Sequence, residues 1–276
     1  MSTDGNKKEV IQINVEELIQ SKNPRLLKFI PRFLINKLKR IVHQDEFNDY
    51  LKANAKADAY TFIENGLKMF GAKIIIKGKE NLPEHKRIIL AANHPLGGLD
   101  GGVFIKVVHD HYGELRFPVN DLLMSIPNLQ EAFLPINKHG SHSRQAFKAI
   151  DEAYQSEFPI CYFPAGLCSR KINGKIEDLE WKKSIITMAV KHKRDIVPVH
   201  INGKNSNFFY NLSNVRKKLG IKANIEMLYL VDEMYKQYDQ EVVISFGKPI
   251  PWQTFDTSKT PQEWINYVRQ KTYEME

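Results

Sequence analysis

The sequence predicts an α/β fold: a single domain with a mostly parallel central sheet flanked by helices, plus an N-terminal amphipathic helical segment. Three observations predict it. Helix-like stretches alternate with short, continuously apolar runs, the pattern of strands buried on both faces. One such run, Arg87 to Ala92, ends directly on a polar, glycine-rich turn, Asn93 to Gly102. The chain closes on Thr260-Pro261-Gln262-Glu263, which places a cap, a proline at the first helical position and an acid in the first turn. With 276 residues the prior is one large domain or two small ones. A chain of about 300 residues buries roughly 75% of its unfolded surface, enough to hold a site rigid.

The elements follow in order. Residues 1–23 read as a flexible tail with a short acidic helix around Val15 to Gln20. Residues 24–70 read as a helical, basic amphipathic, membrane-associating segment. Pro24 to Val42 holds six Lys or Arg and no acid. On a helical wheel Leu26, Phe29, Ile30, Phe33, Leu34, Leu38 and Ile41 share a face, with Arg25, Lys28, Arg32 and Lys39 opposite. A helix lying in a membrane interface has that pattern; so does a helix packed on its own core with a solvated basic face. Pro31 breaks this segment or opens its second half. Residues 45–70 read as one helix ended by Gly71. The α/β domain then occupies 71–276: a strand at 72–78, the turn Asn81-Leu82-Pro83, and a strand at 87–92. Helices at 144–156 and 181–192 alternate with strands at 160–163, 196–201, 225–230 and 242–246, before the closing helix.

Composition narrows the partners. Lys and Arg outnumber Asp and Glu by 40 to 32, a net charge of +8. That favours phospholipid surfaces, phosphorylated substrates, acidic carrier proteins or nucleic acid. No helix-turn-helix, zinc finger or RNP-like motif accompanies the charge, so no specific nucleic acid is expected. Two cysteines, Cys161 and Cys168, make neither a disulfide framework nor a four-ligand zinc site; they suit a reducing, cytoplasmic setting. Met1 to Val10 lacks an apolar signal core. No run of 18 apolar residues exists, so no spanning helix is expected. A lipid partner would have to be reached from the side, at the inner face of the membrane.

The order strand, Asn93-His94-Pro95, glycines, Asp100 puts His94 at the carboxyl end of a strand, where open α/β sheets bind ligands. Pro95 and Gly97-Gly98 favour a tight turn, and Gly101-Gly102 permit close approach of backbone or ligand. Such a turn returns Asp100 to His94. A neutral imidazole then takes a proton from a hydroxyl or amine, while the carboxylate fixes its tautomer and stabilises the imidazolium. A structural histidine and a metal ligand are the competing readings. No HExxH-type pairing occurs among the nine histidines, so no metal is expected.

Asn93-His94-Pro95 followed by Asp100-Gly101 resembles the first motif of the PlsC-like glycerolphosphate and lysophosphatidate acyltransferase superfamily. Its glycine-rich form is similar to the hemolysin-type, putative glycerol acyltransferase branch. Five residues separate His94 from Asp100, where the usual motif has four. Phe133-Leu134-Pro135-Ile136-Asn137-Lys138 stands in the place of the second motif. There the resemblance implies that Lys138 or Arg144 contacts the acceptor's phosphate. Phe163-Pro164-Ala165-Gly166-Leu167-Cys168-Ser169-Arg170 resembles the third motif, with Ala165 where a glutamate is usual. It implies substrate-binding roles for Gly166, Ser169 and Arg170. Ile196-Val197-Pro198-Val199 fits the fourth. The four blocks in order cover about residues 70–250.

The resemblance implies a peripheral membrane acyltransferase with His94 as general base and Asp100 as its orienter. The acyl donor would be an acyl carrier protein or coenzyme A thioester, with no further cofactor. The acceptor would be the hydroxyl of a lyso-lipid. The missing glutamate makes a lyso-aminolipid, an N-acylated amino acid, a rival to a lyso-phospholipid. Cys168 as a thiol nucleophile is a further option. The reading from a different class is a membrane-binding or lytic, hemolysin-like protein without catalysis.

Overall fold

The computed structural model describes residues 12–22, 29–119, 121–135 and 143–276. The chain forms two compact units, Met1–Ala57 and Asp58–Glu276.

The first unit holds helices α1 (Val15–Lys22), α2 (Arg32–Ile41) and α3 (Gln44–Ala53). The acidic segment forms α1, and Lys39 of α2 pairs with its Glu16 at 2.5 Å. Asn48 of α3 holds both backbone groups of Ile13. α2 starts directly after Pro31, whose fixed φ suits a helix start and whose missing N–H is not needed there. It buries Ile35 and leaves Phe33 and Leu34 of the apolar stripe in solvent. Phe29, before it, is 83% exposed.

The stretch read as one helix over 45–70 is two. α3 ends at Ala53, and α4 (Ala59–Met69) begins after Asp58, whose carboxylate accepts the N–H groups of Tyr60 and Thr61. An Asp inside an apolar periodicity is a helix start as well as a surface residue, and here the cap won. α4 belongs to the second unit, where it packs along α5 (Leu99–Tyr112).

The second unit is built on a five-stranded sheet in the order β1-β9-β8-β2-β5: β1 (Lys73–Lys77), β2 (Ile88–Ala92), β5 (Ile160–Tyr162), β8 (Asp195–Ile201) and β9 (Glu241–Phe246). Every pairing is parallel except β8 with β9. β3 (Phe117–Val119) and β4 (Phe133–Pro135) form a small parallel pair, and β6 (Arg170–Ile172) and β7 (Lys175–Glu177) a hairpin. The remaining helices are α6 (Asp121–Met124), α7 (Ser143–Gln155), α8 (Ser184–His192), α9 (Asn207–Lys218), α10 (Leu230–Lys236) and α11 (Pro261–Tyr273). α11 carries the full capping box of Thr260 and Glu263. Among the described residues no helix is long and apolar enough to cross a membrane.

All five residues of β2 are buried, as expected for a central parallel strand covered on both faces. One core cluster joins Ile89, Ile160 and Ile196 of three adjacent strands to Trp181, Ile185, Trp264 and Ile265. The buried Arg194 donates to the carbonyls of Tyr154, Phe158 and Ile88, satisfying the end of α7.

The strand expected at 225–230 is absent. Ile225–Tyr229 is a 3-10 turn leading into α10. It carries Glu226, fully buried between Arg170 (3.1 Å) and Arg216 (2.8 Å). A buried carboxylate needs such partners, and reaching two arginines on different elements fixes a turn rather than an extended run.

Candidate active site

His94 lies just beyond the carboxyl end of β2, between β5 and β8. The neighbouring Asn93 holds it to β8. Its side-chain amide donates to the carbonyl of Ile201 (2.8 Å) and accepts that residue's N–H (2.7 Å), acting as one more rung of the ladder. From just past the end of β5, the ring of Phe163 stacks on the His94 imidazole, centroids 3.9 Å apart and planes within 14°.

The turn that follows brings Asp100 back. His94 Nδ1 lies 2.9 Å from Asp100 Oδ2. Gly97, between them, is in the left-handed region at φ +81, and Leu96 and Gly97 donate their N–H groups to the same carboxylate. Asp100 is fully buried in the first turn of α5, where the helix dipole favours a negative charge. The turn is tightly covered. A Cβ at Gly97 would stand 2.7 Å from Leu230 Cδ2, and one at Gly98 2.5 Å from Met234 Sδ.

A second carboxylate approaches from behind. Asp178 accepts the backbone N–H of His94 (3.2 Å), the hydroxyl of Ser169 (2.6 Å) and the indole N–H of Trp181 (2.9 Å). Ser169 also donates its backbone N–H to the His94 carbonyl at 2.7 Å. Both backbone polar groups of His94 are therefore fixed by buried partners.

Electrostatics set the protonation. Burial disfavours the imidazolium, but the charge and hydrogen bond of Asp100 outweigh it, so His94 titrates above the ordinary histidine value. Burial likewise opposes ionisation of Asp100, yet His94 and the donated N–H groups hold it below the usual carboxylate range. Burial pushes Asp178 up, against the pull of its donors. The His94 side chain keeps 16% of its surface exposed. Among the described residues, Nε2 has no hydrogen-bond partner. A buried acceptor behind Nδ1 and an accessible Nε2 are what proton transfer from a hydroxyl requires.

The other predicted residues divide. Ser169 is buried and spent on Asp178 and His94. Arg170 is 1% exposed; it donates to the Cys168 carbonyl and to Glu226. Both hold the site from inside the protein. Gly166 is exposed, at φ +68, beside Lys182. Arg144 lies in the first turn of α7, and Lys138 falls outside the described residues. Cys168 is fully buried, its thiol pushed up to about 11 by burial, the wrong direction for a thiolate nucleophile. Sequence reasoning missed Asp178, Trp181 and the stacking role of Phe163. A lone Asp before an apolar helix gave no periodic signal; a buried Trp in need of an acceptor was the available clue.

The sequence profile of the family Acyltransf_2, described as acyltransferase, matches residues 17–276. A lyso-glycine lipid O-acyltransferase of Bacteroides thetaiotaomicron is 47% identical over 264 residues, 95% of this chain and 97% of that protein. A protein of the same name from Phocaeicola vulgatus is 46% identical over 267 residues, 96% of each. The crystal structure of the 1-acyl-sn-glycerophosphate (LPA) acyltransferase PlsC from Thermotoga maritima superposes with a TM-score of 0.48 at 16% identity, over 95% of this chain and 93% of that one.

Proposed function

Since this chain belongs to the Acyltransf_2 family of acyltransferases, we propose that it moves a fatty acyl chain from an acyl thioester to the hydroxyl of a lyso-lipid, with His94 as base and Asp100 as its orienter. The contact that carries this reading is the 2.9 Å hydrogen bond from His94 Nδ1 to the buried Asp100.

The chemistry follows from that contact. Asp100 keeps the proton on Nδ1, leaving Nε2 as the base. Nε2 takes the proton of the acceptor hydroxyl as its oxygen attacks the thioester carbonyl. The tetrahedral intermediate collapses with loss of the thiol, which leaves with the proton that the imidazolium returns. The C–O ester bond forms, the C–S bond breaks, and His94 ends neutral. No thiol of the protein takes part. The donor is an acyl carrier protein or coenzyme A thioester, and no other cofactor is needed.

The acceptor is a lyso-aminolipid of the glycine-lipid kind. Two relatives at 46–47% identity over nearly their whole length carry that name. Ala165, at the position of the usual glutamate, is buried in the apolar core cluster with Trp181. The site therefore lacks the carboxylate expected to help hold a glycerol-phosphate acceptor. The exposed Phe29, Phe33 and Leu34 beside Arg32 and Arg40 support peripheral attachment to an anionic membrane.

The test is transfer of a labelled acyl chain from both thioesters to a panel of lyso-aminolipids and lyso-phospholipids, with wild type beside His94→Ala. Transfer to the aminolipid, lost in the variant, is expected. No transfer to any acceptor, or full activity of the variant, rejects the reading.

A further inference from the structure

The catalytic unit carries an apolar surface of its own that the reaction scheme does not use. α9 buries Phe209, Tyr210, Ser213 and Arg216. Positions 208, 212, 215 and 219 form a second stripe, about 125° away at 100° per residue. Phe208, Val215 and Leu219 on that stripe are 49%, 52% and 69% exposed. Ile221, just past the helix, and Leu228, on the 3-10 turn, are also exposed on this segment, at 40% and 45%. Single exposed apolar residues are ordinary; five large ones on one short helix–turn segment are not.

The charge on this segment has one sign. Lys204, Lys217, Lys218 and Lys222 are all exposed, and from Gly203 to Ile225 there is no Asp or Glu. The acids that follow are already engaged. Glu226 is buried between two arginines, Asp232 pairs with Lys236, and Glu233 is buried against Ser206 and Lys236. Large apolar side chains with Lys218 at the flank of the stripe and Lys222 beside Ile221 match a bilayer interface: the apolar groups enter the acyl boundary while the ammonium groups stay among anionic headgroups. The number of large exposed apolar side chains favours a bilayer over the charged face of a soluble carrier.

The same segment covers the catalytic turn, since Leu230 and Met234 lie against Gly97 and Gly98. Glu226 ties it to Arg170, whose guanidinium grips the Cys168 carbonyl. A surface held this way transmits its footing to the turn that carries the His94–Asp100 pair.

We infer that the exposed face of α9 and the following turn is a docking surface for an anionic lipid bilayer, set on the catalytic unit beside the turn that receives the lipid. The inference rests on the lipid-acyltransferase reading for its purpose, but its binding test does not. The full chain is sedimented with vesicles of phosphatidylethanolamine and phosphatidylglycerol, and with vesicles of phosphatidylcholine alone. Wild type is compared with a Val215→Asp, Leu219→Asp double variant and a Lys218→Glu, Lys222→Glu double variant. All four positions are solvent-facing, and an unchanged thermal melt verifies the fold.

The aspartate variant is expected to bind the anionic vesicles at least about tenfold more weakly. The glutamate variant should lose the preference for anionic over neutral vesicles. Acyl transfer to a lyso-lipid held in those vesicles should fall with binding, while transfer to the same lipid in neutral detergent micelles stays within about twofold of wild type. Unchanged vesicle binding in both variants overturns the inference. So does a variant that binds vesicles normally but loses transfer from acyl carrier protein to the micellar acceptor, because the surface then serves the carrier. Absence of wild-type transfer in micelles rejects the enzymatic reading and leaves the vesicle result to stand by itself.

Discussion

Asp178 accepts the backbone N–H of His94 at 3.2 Å, while Asp100 engages the ring of the same residue at 2.9 Å. One histidine is thus held by two buried carboxylates with separate tasks. Asp100 governs which ring nitrogen carries the proton; Asp178 governs where the backbone beneath the ring sits.

Asp100→Asn tests the first task. His94 titrates above the ordinary histidine value because the Asp100 charge and hydrogen bond outweigh burial. In the proposed mechanism the working form is the neutral base, so the rate is expected to rise with pH through that raised pKa. An amide at position 100 removes the charge and leaves burial to push the imidazole down. The midpoint of the kcat/KM profile should therefore move to lower pH, while the plateau falls roughly 10²–10⁴-fold through loss of the correct tautomer. The pH–rate profiles of both proteins measure this.

Cys168 tests the alternative nucleophile. Burial holds its thiol at about 11, so almost none is thiolate near neutral pH. Cys168→Ala should keep acyl transfer within a few-fold of wild type, and iodoacetamide should leave the native wild-type enzyme active. A stable acyl group on Cys168 in quenched reactions, read by mass spectrometry, would contradict this.

Gly97→Ala and Gly98→Ala should differ. Gly97 combines φ +81 with a 2.7 Å approach to branched Leu230 Cδ2. Its substitution should cost about 1–3 kcal/mol in stability and most of the activity. Gly98 is not in the left-handed region, and its close neighbour is Met234 Sδ. An unbranched thioether yields more readily, so Gly98→Ala should keep more of both. Thermal melts and turnover of the pair make the comparison.

Glu226→Gln should be among the most damaging single changes distant from His94. It leaves Arg170 and Arg216 buried without their carboxylate, at a cost of about 3–5 kcal/mol. In a unit of this size that lowers Tm by about 10 °C. A Tm within 2 °C of wild type, by calorimetry, would show the ion pairs to be dispensable.

Much of the site was legible in the sequence because its chemistry is local. His94, the glycines and Asp100 span one turn, and the strand before them announces itself by five consecutive small or branched apolar residues. The capping box at Thr260 is equally local. What stayed hidden depends on partners far along the chain. Asp178 reaches His94 across 84 residues and Glu226 reaches Arg170 across 56. For that reason Ser169 and Arg170 read as substrate contacts, yet the structure spends their polar groups internally. Residues 225–230 look like a strand by composition alone; the buried Glu226, with its demand for two guanidinium partners, made them a turn.

The pairing of β1 with β9 carries a consequence for how the protein is made. Lys73 is matched to Glu241, so the edge strand synthesised first waits for a partner made 168 residues later. Contacts this distant in sequence form slowly, and until then the open flank of β1 has no mate. β9 also lies against β8, which Asn93 fastens to the residue before His94. Emergence of β9, rather than of the early helices, therefore sets when a nascent molecule can first close the sheet that carries His94.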